Sequence, residues 1–64
     1  MGEMDILRGM RKAYQAGTTT SETVIDVVAD MAFNSGARGD FEETFTALAF
    51  EYITDKTYVP DDWA

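Results

Sequence analysis

Apolar side chains recur at the three- and four-residue spacing of a helix in three separate stretches of the chain. In the first, Met4, Leu7, Met10 and Tyr14 share one face, which predicts a helix over 4–15. Gly17 suits the residue just past its end, and Arg11 and Lys12 fall in the last turn, where positive charge complements the helix dipole. Gly9 weakens this helix by about 1 kcal/mol relative to Ala.

In the second stretch Val24, Val27, Val28 and Met31 form a stripe widened by Ile25, Ala32 and Phe33, predicting a helix over 21–34. A strand would need two-residue alternation, which the adjacent Val27 and Val28 break. The hydroxyls preceding it can accept first-turn amides: Thr19 with Glu22 three residues on spells a capping box, and Thr20 or Ser21 serves equally well as the cap.

A loop containing Gly36 and Gly39 leads to the third stretch, where Asp40 followed by Glu43 reads as a helix cap with its box. Phe41, Phe45, Leu48 and Tyr52 follow at spacings of four, three and four, extended by Ala49 and Ile53, and predict a helix over 41–55 with Thr44 and Thr46 facing out. Pro60 bars a regular helix from the remaining segment, 56–64. Its Tyr58, Val59 and Trp63 are expected to fold back over the helices, because a small domain needs apolar area; the alternative is an aromatic anchor for a partner.

The pattern therefore predicts an all-α fold, one small three-helix domain over 1–64 with its C-terminal tail packed across it. The expected core is Leu7, Met10, Tyr14, Val24, Val27, Val28, Met31, Phe41, Phe45, Leu48 and Tyr52. Met1 and Met4 join Met10 and Met31 as core filler or as an adaptable groove.

Composition sharpens this picture in two respects. A chain of 64 residues buries only about 60% of the surface its unfolded form exposes. With no cysteine and no histidine to supply a disulfide or a zinc site, self-association is the remaining common staple. The missing cysteines and the acidic start, with no long apolar run after it, point to a soluble cytoplasmic protein without a membrane partner.

Chemistry is narrowed as well. Without imidazole or thiolate, the usual nucleophilic triads cannot be built. The calcium-loop and glycine-rich phosphate-binding patterns do not occur. The carboxylate pairs Glu42-Glu43 and Asp61-Asp62 would need a cleft that three short helices seldom enclose. Neither enzyme activity nor a cofactor or metal is expected, and a net charge of −7 opposes direct contact with nucleic acid.

The polar pattern carries one distinctive feature. Glu22, Asp26 and Asp30 stand four apart, on one side of the second predicted helix and about 6 Å from one another along its axis. No Lys or Arg occurs between Ser21 and Arg38 to offset them. They read either as a solvated face that aids solubility or as a docking surface for a basic groove, since charges at that interval approximate a phosphate row. Glu51 and Asp55 form a second acidic pair on the third helix. Arg8, Arg11 and Lys12 gather on the first, as a solvated cluster or as a contact for another copy's acidic stripe. Arg38-Gly39-Asp40 spells an integrin-binding tripeptide but is read as accidental, its aspartate being accounted for as a cap.

These readings predict a small acidic regulator or inhibitor that docks on a basic or mixed-charge protein partner, a nucleic-acid-binding one included, in the manner of virus-encoded antagonists. The residues expected to carry the contact are Glu22, Asp26, Asp30, Glu51, Asp55, Tyr58 and Trp63. The alternative from a different class is a homo-oligomerising structural module, a homodimer in its simplest form, buried through leftover apolar surface and the tail aromatics.

Overall fold

The computed structural model describes residues 2–58 and holds three helices, α1 (Glu3–Gln15), α2 (Ser21–Asn34) and α3 (Asp40–Thr54), with no strand among the described residues. Each helix lies within a residue of the span its apolar periodicity predicts. Val59 and Trp63, assigned to a packed tail, lie outside the described residues. Tyr58 is within them, its ring tilted against Phe50 with centroids 5.4 Å apart.

Local chemistry sets most of the boundaries. At the start of α1 the Asp5 carboxylate accepts from the Gly2 amide at 3.2 Å, satisfying a donor that has no partner within the helix. Of the hydroxyls open as caps for α2, Thr20 serves: its Oγ1 accepts from the Thr23 amide at 3.3 Å. Beyond α2, the Gly36 amide donates to the Phe33 carbonyl and the Ala37 amide to the Ala32 carbonyl, a double bond pattern that needs a left-handed residue at Gly36, where φ is 89°. Gly17 closes α1 with the same pair of bonds. The start of α3 differs from expectation. Gly39, at φ 60° and ψ −127°, occupies the cap position, and Asp40 is already helical. Glycine alone enters that backbone region without strain, so the turn tightens one residue early and Asp40 acts on the first-turn dipole instead of capping it.

The helices run up, down and up. Ser35 at the end of α2 donates to Glu3 at the start of α1 (3.1 Å), while Tyr14 and Ser21 meet at the opposite end (3.2 Å). α3 returns in the sense of α1 and carries the main packing against both neighbours. The core consists of Leu7 from α1, Val24 and Val28 from α2, and Ala49, Phe50 and Ile53 from α3. Val24, Val28 and Ile53 are fully enclosed, and each such side chain contributes on the order of 1.5–3 kcal/mol through burial.

Two expectations about α3 are corrected. Phe41 and Leu48, assigned to the core, are 81% and 64% exposed, and Thr46, assigned to solvent, is buried. The helix carries two overlapping apolar rows, Phe41-Phe45-Leu48-Tyr52 and Thr46-Ala49-Phe50-Ile53, and the second points inward. The larger row is displaced toward α1, where Phe45 and Tyr52 become half-buried. Buried Thr54 satisfies its hydroxyl by donating to the Phe50 carbonyl at 2.9 Å. Thr44 faces out as expected.

Candidate functional site

Glu22, Asp26 and Asp30 are all exposed. At about 100° per residue they point roughly opposite to the buried row Val24, Val28 and Ala32 that seats α2 on the core. The apolar row thus fixes the orientation of the acids. Among the described residues none of the three has an ion pair or a side-chain hydrogen bond within the chain; the paired carboxylates are Asp5 with Arg8 and Asp55 with Arg11.

All of the bases but Lys12 are engaged elsewhere. Arg11 reaches from α1 to α3, donating to the Tyr52 carbonyl and, at 2.9 Å, to Asp55, with its guanidinium 5.2 Å from the centre of the Tyr52 ring. It supplies a donor to a helix end whose last carbonyls lack intrahelical partners. The Asp55 hydrogen bond, reinforced by its charge, raises the Arg11 pKa further above its ordinary value. Arg38 does the same for α2, lying 3.7 Å from the centre of the Phe33 ring and donating to the Phe33 and Ala37 carbonyls. Lys56 donates to the Tyr14 hydroxyl at 2.9 Å, and this bond, with a smaller contribution from Ser21, lowers the Tyr14 pKa below the ordinary tyrosine value. Lys12 is exposed in the last turn of α1.

The second predicted acidic pair differs in kind from the first. Asp55 is exposed but bound to Arg11, and Glu51 is half-buried on the preceding turn. Tyr58 leans on Phe50 and is half-buried, and Trp63 lies outside the described residues. The Arg38-Gly39-Asp40 tripeptide is taken up by the α2–α3 junction, its arginine stacked on Phe33 and its aspartate in the first turn of α3.

An open apolar groove of about 290 Å³ lies between α1 and α3, lined by Met4, Leu7, Phe45, Leu48, Ala49 and Tyr52; of the methionines offered for an adaptable groove only Met4 lines it, and its α3 wall was not expected. Its signal was present: α3 is apolar over more than one stripe, wider than a single core contact requires. Among the described residues no three acidic side chains converge closely enough to hold a metal ion, and no helix is long and apolar enough to cross a membrane. No protein-family model matches this chain, and no curated protein or solved structure does either.

Proposed function

We propose that the protein is a small acidic binding module that presents Glu22, Asp26 and Asp30 on α2 to a basic surface of a partner protein. The observation that supports this reading is the contrast between that row and most of the bases: three carboxylates without a partner among the described residues on the outward side of one helix, while Arg11, Arg38 and Lys56 are engaged with carbonyls and aromatic side chains of their own chain. Like charges at four-residue spacing cost a few tenths of a kcal/mol per pair. That cost is recovered when cations from a partner approach, and long-range attraction speeds the encounter. A groove shaped for a phosphate backbone offers cations at a compatible interval, which makes a nucleic-acid-binding protein a fitting target and an inhibitor of it a fitting role.

The test compares two doubly reversed chains of equal net charge. Asp26→Lys with Asp30→Lys alters the row, whereas Asp40→Lys with Glu43→Lys changes charge at the start of α3. In affinity capture from the native cell, a basic protein held by the unaltered chain is expected to be lost with the first variant and kept with the second. Equal loss from both would mean that net charge alone attracts it, and the docking reading would be withdrawn.

A further inference from the structure

The groove between α1 and α3 is independent of the acidic row and lies on different helices. Its floor is Leu7 and Ala49, and its walls are Met4 on one side and Phe45, Leu48 and Tyr52 on the other. Phe41, one turn before Phe45 and 81% exposed, projects from the same row. Phe41, Phe45, Leu48 and Tyr52 therefore keep the four-three-four interval of a helix-pairing seam, although only part of that seam is covered within the chain.

Charge is distributed unevenly along this seam. Because α1 and α3 run in the same sense, their starts gather Glu3, Asp5, Asp40, Glu42 and Glu43 against the two bases Arg8 and Arg38, the latter held over the Phe33 ring. Their other ends gather Arg11, Lys12 and Lys56 against Glu51 and Asp55. An apolar seam with an acidic end and a basic end is complementary to itself when turned through a half-rotation. The two α3 helices then lie antiparallel, their dipoles oppose, and each acidic end meets a basic one.

We infer that the α1–α3 face binds a second copy of this chain in a two-fold, antiparallel arrangement. The projecting Phe41 ring of one protomer enters the groove of its partner at the Tyr52 end, and Leu48 packs across from Phe45. Lys12 and Lys56 face the partner's α3 start. The acidic row of α2 takes no part in this contact, so the dimer stands or falls separately from the docking proposal.

Sedimentation of the full chain over a concentration series tests it. The mass should rise from the 7.1 kDa monomer to twice that value. Leu48→Gln combined with Phe41→Gln should weaken the dimer by about tenfold or more, with unchanged helical circular dichroism, since both side chains are exposed. A second set of variants does not depend on the apolar residues. Lys12→Glu with Lys56→Glu should weaken association, and adding Asp40→Lys with Glu43→Lys should restore it. A chain that remains monomeric throughout, leaving the groove to another kind of partner, overturns the inference. So does a dimer indifferent to the glutamine pair, or a charge-swapped chain that fails to recover.

Discussion

Arg11 of α1 lies 2.9 Å from Asp55, the residue that caps the end of α3, bridging residues 44 positions apart, and the same guanidinium nitrogen donates to the carbonyl of Tyr52. One side chain thereby ties the first helix to the end of the third. Asp55 adopts a left-handed backbone, φ 58°, where the helix stops. Aspartate tolerates that region better than most residues, and here it also presents its carboxylate to Arg11.

If Arg11 acts as a cap rather than as half of a surface ion pair, the two partners should respond differently to substitution. Arg11→Met is expected to lower the thermal midpoint more than Asp55→Asn, which leaves the bond to the Tyr52 carbonyl in place. Thermal unfolding of the two variants checks this. Equal shifts would reduce the contact to an ordinary exposed pair.

The corrected orientation of α3 makes a sharper stability prediction. Ile53→Ala should cost about 2–5 kcal/mol, as deletions at enclosed positions do, while Phe41→Ala in the monomer should stay within about 0.5 kcal/mol. Urea unfolding at a concentration low enough to prevent association measures both. The reverse order would mean that Phe41, and not Ile53, faces the core.

How much of this was legible in the sequence differs from helix to helix. On α2 a single valine-rich row leaves only one side for Glu22, Asp26 and Asp30, so the placement of the acids follows from spacing alone. On α3, Phe41, Phe45 and Leu48 outweigh Thr46 and Ala49 in hydrophobicity, and one-dimensional periodicity favours the wrong row. The inward row combines the bulky Phe50 and Ile53 with the smaller Thr46 and Ala49, and it is set by where α1 and α2 lie around α3, which the periodicity of one helix does not encode. The reach of Arg11 to Asp55 and of Lys56 to Tyr14 depends on helix order in space, which no local pattern encodes.

Tyr14 offers a titration test. Its pKa is held below the ordinary value of 10.0 by the bond from Lys56. A tyrosine depressed in the folded state binds fewer protons there than in the unfolded chain at intermediate pH. Its contribution to stability is therefore full above the unfolded pKa and fades as pH falls through the folded value. Titration of the Tyr14 ring by NMR should show its midpoint rising when Lys56 is replaced by Gln. An unmoved midpoint would remove Lys56 as the cause.

Repulsion within the acidic row carries a signature of its own. Asp26→Asn should raise stability slightly, by about 0.2–0.5 kcal/mol for each like-charge pair relieved, and the gain should shrink in salt. Denaturant midpoints at low and high ionic strength measure it. A loss of stability would mean that Asp26 makes a favourable contact within the fold.

NMR titration of the labelled chain with a lysine-rich peptide tests the proposed docking surface of the α2 acids most directly. Chemical-shift changes should concentrate along Glu22, Asp26 and Asp30, weaken with added salt, and vanish in the Asp26→Asn, Asp30→Asn chain while the rest of the spectrum is preserved. Changes spread evenly over Asp40, Glu42, Glu43 and the α2 row, or centred on the α1–α3 groove, would contradict it.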